Sequence, residues 1–259
     1  MKITRRILLI SSNSSGRGGG ERYLVFLTKG LCELGCEVHA LISDVDYMDG
    51  WAMSLSDEGA VVHRRRLTPL GQRPLRFIQS TRDISQIEAV SAFCRRISPD
   101  AILVNQQYDE DGLDYLMGAL KAEVVPVAGV MHMPMTGTKD KRPFGRLRGS
   151  ILGRWYKKHA YRLILVSEGA KAEFESYYDF PRPTYVINNS IPLDLKRNDS
   201  PRILFPPGIP VVGFVGQFVE QKNLSCLLRA WLETLRSVDS RLLLVGDGPQ
   251  RTVLEKYLH

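Results

Sequence analysis

Two hydrophobic rhythms take turns along this chain. Short continuous apolar runs, which suit strands buried on both faces, alternate with stretches whose apolar residues recur every three or four positions, the period of an amphipathic helix. ILLIS (7–11) predicts a first strand, and SNSSGRGGG (12–20) a glycine-rich turn. Glu21 to Leu34 carries Leu24, Leu27, Leu31 and Leu34 on one face, which predicts a helix, and Gly35 ends it. EVHALIS (37–43) and AVVHRRRL (60–67) predict the next two strands. A helix over 84–97 is stopped by Ser98-Pro99, and DAILVN (100–105) follows as a strand. The pattern continues with a helix near 112–121, the strand VVPVAGVMH (124–132), a basic helix over about 145–160 and the strand YRLILVS (161–167). A helix over 168–178 and the strand TYVINN (184–189) close this part.

This alternation predicts an α/β protein with a parallel sheet covered on both faces. Composition then turns polar and proline-rich, from LDLKRNDSPR to FPPGIP, which reads as a linker. The expected organisation is a first domain over 1–195, complete in pattern, a linker over 196–210, and an incomplete second domain over 211–259. That last part holds VVGFVG (211–216), a helix with Lys222 in its opening turn, and RLLLVGDGP (241–249). Strand, glycine turn, helix, strand and glycine turn form a βαβ unit suited to a phosphate-bearing ligand.

Composition changes little. A chain of 259 residues, 44% hydrophobic and 24% charged, is ordinary for a globular protein and needs no disulfide or metal staple. Cys32, Cys36, Cys94 and Cys226 show neither a CxxC pair nor a zinc spacing, and fit reduced thiols in a cytoplasmic protein. Lys2, Arg5 and Arg6 before four apolar residues imitate a signal peptide, but that apolar run is too short, and no stretch has the length of a membrane span.

Charge is more telling. The formal net charge is +7, and the segment from Lys139 to Arg162 alone holds nine Lys/Arg against Asp140. Interleaved Phe144, Leu147, Ile151, Leu152, Trp155 and Tyr156 suit a helix lying on an anionic membrane surface. A solvated basic face over a cleft is the plainer reading. No nucleic acid is expected, because no nucleic-acid-binding motif accompanies the patch.

Two partial motifs are weak. The run from Gly16 to Gly20 follows a strand and opens a helix, as in a dinucleotide-binding protein with Asp44 as the ribose acid, but Glu21 stands where GxGxxG needs glycine. A nicotinamide or flavin oxidoreductase is the reading this would support. Asp44-Val45-Asp46 spells a DxD that could hold a cation, a pattern common by chance.

Taken in order, several segments resemble the family 4 glycosyltransferases of the two-domain GT-B fold. They are GGGERYLVFLTKGLCELGCEVHAL (18–41), VPVAGVMH (125–132), YRLILVSEGA (161–170), VINNSIP (186–192), VVGFVGQFVEQKN (211–223) and LLLVGDGP (242–249). The resemblance implies a retaining transfer of a sugar from a nucleotide-diphosphate sugar to the hydroxyl of a carbohydrate or lipid-linked acceptor, with no metal and no other cofactor. It implies His132 and Lys222 as catalytic, with Gly216, Gln217 and Lys222 on the donor diphosphate. Gly19 and Gly20 would form the acceptor or phosphate loop, and Ser167 and Asn189 would line a cleft.

The residue types suit these roles. Glycines let backbone N–H groups approach a ligand closely, and a lysine cation can stabilise charge growing on a departing diphosphate. His132 ends a strand at the sheet's carboxyl edge, where α/β ligands bind. Gln217 replaces an arginine usual in the family and brings no charge; Ser190 and Pro192 replace a glycine and an acid. The family's E-x7-E pair would fall beyond residue 259, so a chain of this length is expected to turn over poorly. The alternative is a non-catalytic or partner-dependent module with acceptor or membrane affinity, located in the cytoplasm or peripherally on the inner membrane face.

Overall fold

The computed structural model describes residues 4–11, 18–68, 75–135, 144–191 and 208–256. The chain divides into two compact units, Met1–Asp194 and Leu195–His259.

The first unit is built on seven strands: β1 (Arg6–Ser11), β2 (Glu37–Ser43), β3 (Val61–Arg65), β4 (Ala101–Gln106), β5 (Val127–Met131), β6 (Arg162–Leu165) and β7 (Thr184–Val186). Every pairing is parallel, and the spatial order is β3-β2-β1-β4-β5-β6-β7. The chain therefore starts in the middle of the sheet, winds outward through β2 and β3, and returns to lay β4 on the other side of β1. Because βαβ crossovers are right-handed, that reversal sends the connecting helices to opposite faces. Helices α1 (Gly19–Glu33) and α2 (Asp49–Asp57) serve the first half. The second half has α3 (Arg76–Arg82), α4 (Ile84–Ile97), α5 (Leu113–Ala122), α6 (Gly145–Lys158) and α7 (Glu168–Tyr177).

The two faces can be read from β1 itself, whose side chains alternate with period two. Leu9 packs with Leu24, Val25, Val38, Ile42, Trp51 and Leu55 under α1 and α2. Its neighbours Leu8 and Ile10 join the larger core on the other face, with Val90, Phe93, Val104, Leu116 and Trp155.

Several elements depart from the sequence expectations. Helices α2 and α3 are short, and α2 carries Gly50 and two serines, so their periodic signal is faint. Tertiary contact makes them: α2 buries Trp51, Ala52 and Leu55, and α3 buries Phe77 and Ser80. Strand β5 starts at Val127 rather than 124, because Pro126 has no N–H to donate; its carbonyl still accepts from the Ile102 N–H at 3.1 Å. Strand β7 is only three residues long, half of the expected 184–189.

In the second unit β8 (Val211–Val215) and β9 (Arg241–Val245) pair in parallel, with α8 (Leu224–Thr234) between them and α9 (Arg251–Glu255) after. Phe218, Leu224, Leu228 and Leu254 form its buried core. The loops that leave the two strands cross closely: the Phe218 N–H donates to the Asp247 carbonyl at 2.8 Å, and the Gln250 N–H to the Phe218 carbonyl at 3.0 Å. Glycine makes the crossing possible. A Cβ on Gly246 would overlap the Gly216 carbonyl oxygen, and one on Gly248 would sit 2.6–2.9 Å from the Phe218 backbone.

Gly246→Ala is therefore expected to destabilise this unit by about 2–4 kcal/mol, since neither the backbone overlap nor the positive φ can relax cheaply. Gly213→Ala, whose Cβ would meet nothing within 4 Å, should have little effect. Unfolding followed by the fluorescence of Trp231, the tryptophan of this unit, measures both, and equal losses at the two positions would contradict the close crossing.

Candidate functional site

Three buried strands of the first unit end in polar residues at the point where the strand order reverses. Ser11 ends β1, Asn105 is the penultimate residue of β4, and His132 directly follows β5. In open α/β sheets this carboxyl edge, at the switch point, is where ligands bind.

Asn105 joins the three. It is fully buried; its Nδ2 donates to Ser11 Oγ at 3.3 Å and to the Gly20 carbonyl at 3.4 Å, while its Oδ1 faces His132 Nε2 at 2.8 Å. The Gly20 carbonyl can only accept, so the amide nitrogen must face it and the amide oxygen must face the histidine. His132 Nε2 then carries the proton, and Nδ1 keeps a lone pair, with no hydrogen bond to it among the described residues. Tyr23 of α1 meets the imidazole edge-on, ring centroids 4.9 Å apart. Burial holds the His132 pKa down to about 4, so the ring is neutral at physiological pH.

The glycine loop before α1 is only partly described. Gly18 is the N-cap of α1, without a side-chain cap, and Glu21 occupies the third helical position. The Glu21 carboxylate folds back over Gly18: a Cβ there would lie 2.5 Å from it. The side chain of the third helical residue thus reaches back to the N-cap position. Glu21 is 5% exposed, so a buried carboxylate occupies the helix start. Gly19 is exposed, and a Cβ there would meet nothing within 4 Å.

The other residues singled out by sequence fall as follows. Ser167 caps α7, its Oγ accepting from the Ala170 N–H at 3.1 Å. Asn189 is exposed in the coil after β7. In the second unit Gly216 directly follows β8, its N–H donating to the Val245 carbonyl at 3.0 Å, and Gln217 is exposed beside it. Lys222 is not in α8 but ends a single 3-10 turn, Glu220–Lys222; Asn223, left-handed at φ 49°, separates it from the helix. Lys222 is exposed and forms no ion pair among the described residues. Gly216, Gln217 and Lys222 thus lie in the loop that leaves the carboxyl end of β8, and the Gly246–Gly248 turn leaves β9 beside it. Of the DxD, Asp44 is in a brace: Arg64 pairs with it at 3.1 Å and with Asp49 outside the motif, and donates to the Val45 carbonyl.

Sequence reasoning missed a buried carboxylate loop after β4. Asp109, Glu110, Asp111 and Asp114 are all at most 1% exposed. Asp109 accepts from Tyr178 Oη at 2.5 Å, Glu110 pairs with Arg148 of α6, Asp111 accepts from the Gln107 N–H at 2.9 Å, and Asp114 accepts from Gln86 at 2.6 Å. The basic helix is therefore partly an internal element. Arg148, Leu152, Trp155 and Tyr156 are buried, and Phe144, Arg146, Leu147, Arg154, Lys157 and Lys158 remain exposed.

The His132 geometry predicts a pH effect. An unfolded histidine takes a proton near pH 6.5, the folded one only near 4, so the unfolded chain binds more protons between those values. This contribution is absent above pH 6.5, erodes stability as pH falls through the window, and reaches roughly 3 kcal/mol below about pH 4. His132→Gln, which can still donate to Asn105, should lose less stability than the parent between pH 6.5 and 4 in urea titrations. Identical slopes would place the parent's imidazole in water.

A family profile described as Glycosyltransferase Family 4 matches residues 17–195. No curated protein sequence matches. Among solved structures, a lipopolysaccharide outer core galactosyltransferase, WaaB, aligns over 97% of this chain and 64% of its own, at 17% identity and a TM-score of 0.57. Anabaena Alr3699/HepE, solved with UDP-glucose, aligns over 98% and 65%, at 19% identity and a TM-score of 0.64. S. aureus TarM, solved with UDP and alpha-GlcNAc-glycerol, aligns over 98% and 75%, at 8% identity and a TM-score of 0.64. This chain thus spans about two-thirds of the length of the first two. The fold it shares with them is the α/β, GT-B type, with a seven-stranded parallel sheet in the first unit. With the profile covering more than half of its residues, the chain belongs to Glycosyltransferase Family 4.

Proposed function

We propose that this chain carries the acceptor side, and part of the donor side, of a retaining glycosyltransferase that uses a nucleotide-diphosphate sugar. The observation that carries the reading is the neutral His132, held by Asn105 at the switch point with its Nδ1 lone pair available.

In the transfer, the acceptor hydroxyl oxygen bonds to the anomeric carbon as the bond from that carbon to the diphosphate oxygen breaks. The bonding electrons leave with the diphosphate. A histidine that protonates only near pH 4 is a poor base at neutral pH. His132 is therefore a hydrogen-bond acceptor that orients a sugar hydroxyl, and the proton goes to the departing phosphate oxygen on the same face of the sugar. Gly19 and Gly20, in the opening turn of α1 whose Gly20 carbonyl accepts from Asn105, are assigned to the acceptor.

Donor diphosphate is assigned to the second unit. Gly216 leaves room for close backbone approach, Gln217 offers an amide donor, and Lys222 offers an exposed ammonium group with no ion-pair partner among the described residues. A cation placed before reaction stabilises the charge that develops on the leaving group without reorganisation. No metal and no further cofactor is needed in this scheme. Ser167 and Asn189 keep at most supporting roles, Ser167 because its hydroxyl already caps α7.

The exposed face of α6 supports a peripheral contact with an anionic membrane on the cytoplasmic side. Phe144 and Leu147 are 65% and 51% exposed among Arg146, Arg154 and Lys158. Among the described residues no helix is long and apolar enough to cross a membrane. The contact would serve a lipid-linked acceptor, with basic residues drawn to the surface charge.

UDP, present in the TarM structure and as UDP-glucose in that of HepE, is the ligand to test first. Calorimetric titration should show Lys222→Ala weakening UDP binding about tenfold, as expected for the loss of one charge-assisted contact, and Gln217→Arg strengthening it by a similar factor. UDP and GDP affinities that ignore both substitutions would remove the donor assignment. Peptide-free vesicles containing anionic lipid should sediment the parent chain but less of Phe144→Ser/Leu147→Ser, and equal sedimentation would remove the membrane contact.

A further inference from the structure

Strand β3 is the edge of the first sheet, and α4 packs beside it on the face opposite α1. Between them lies a cavity of about 420 Å³, within the range of small-molecule sites. Its floor is apolar, from Leu41 of β2, Leu67 after β3, and Val90 and Phe93 of α4. Its remaining charge is of one sign: Arg65, Arg66 and Arg96 line it, and among the described residues no acidic one does.

These guanidinium groups are not used up elsewhere. Arg65 and Arg96 both stand over the Phe93 ring, at 5.6 Å and 5.0 Å from its centroid. Arg65 donates to the neighbouring Arg64 carbonyl, and none of the three forms an ion pair among the described residues. By contrast Arg64, one residue away, is held by two aspartates. Two like charges gathered over one aromatic ring, with a third, Arg66, lining the same cavity, repel one another unless an anion joins them. Arginine is also the side chain best matched to planar or tetrahedral oxyanions.

We propose that this cavity binds an amphipathic anion: a phosphate or carboxylate held by Arg65, Arg66 and Arg96, with an alkyl or aryl body on Leu41, Leu67, Val90 and Phe93. The site is separate from the His132 region. In the order β3-β2-β1-β4-β5, β3 lies four strands from β5, about 19 Å at roughly 4.8 Å per strand, and His132 meets α1 on the other face. The proposal therefore stands independently of the transferase reading.

Phe93 couples the cavity to a reporter. His63 of β3 packs edge-on against Phe93, centroids 5.1 Å apart, and its Nε2 lies 2.8 Å from His39 Nδ1, whose other nitrogen meets Glu37. Burial first, and then the charges of His39, Arg65 and Arg96, hold the His63 pKa below its usual value. An anion seated on the two arginines would relieve that repulsion.

The test uses octyl phosphate below its micellar concentration, with inorganic phosphate and octanol as separate arms. Calorimetry should give octyl phosphate an affinity at least tenfold above either partial ligand. The double substitution Arg65→Ala/Arg96→Ala should remove that advantage, with the circular dichroism spectrum and melting temperature kept near the parent's. In the parent, the His63 ring resonances should shift on binding and its pKa should rise. Octanol binding as tightly as octyl phosphate, or a double variant that binds unchanged, would overturn the proposal. So would sedimentation with anionic vesicles that the double variant abolishes while octyl phosphate fails to bind, because the arginines would then serve a lipid surface rather than a cavity.

Discussion

One carboxamide organises the sheet edge on which the functional reading rests. Asn105 is buried at the reversal of strand order, and each polar atom of its side chain has a partner fixed by chemistry. Because the Gly20 carbonyl accepts and cannot donate, the amide has one satisfactory orientation, and the tautomer of His132 follows from it. A buried polar network that is fully satisfied is rigid, whereas leaving one member unpaired costs about 1–3 kcal/mol. The amide thus links the start of α1, the end of β1 and the histidine after β5 into one arrangement. The histidine stays neutral through burial rather than through a nearby cation, which suits orientation of a hydroxyl more than removal of its proton.

A second buried network shapes the neighbouring edge. The carboxylates from Asp109 to Asp114 are kept inside by the Arg148 guanidinium of α6, the Tyr178 hydroxyl after α7, the Gln86 amide of α4 and the Gln107 N–H of the loop itself, while Tyr156 of α6 donates to the Asp109 carbonyl. Such burial is costly unless each charge is matched, so α6 is bound to this loop by electrostatics as well as by Leu152 and Trp155. The same requirement explains why the basic segment is divided in use: Arg148 turns inward, while Arg146, Arg154 and Lys158 face outward.

Much of the first unit was legible because local pattern and tertiary need agree there. The Leu24, Leu27 and Leu31 spacing marked α1, and the apolar runs marked β1, β2 and β4. Helices α2 and α3 escaped because a few large side chains, Trp51, Leu55 and Phe77, hold them in place and the intervening residues carry no helical signal. Of the site, His132 was legible as a polar residue ending a buried strand. Asn105 and Ser11 carry the same mark, and that rule applied evenly would have found all three. The sequence QQYDEDG reads as a solvated acidic turn, because its partners Arg148, Tyr156 and Tyr178 lie far along the chain. Lys222 was placed in a helix because the run from 217 onward looks continuous; the left-handed Asn223 interrupts it.

The most direct measurement is the protonation state of one ring. With selectively 15N-labelled histidine, long-range proton–nitrogen correlation spectra distinguish the two neutral tautomers and follow each imidazole with pH. The account predicts that His132 carries its proton on Nε2 and stays neutral until the pH approaches about 4. A ring protonated on Nδ1, or one that titrates near the ordinary histidine value of about 6.5, would contradict it.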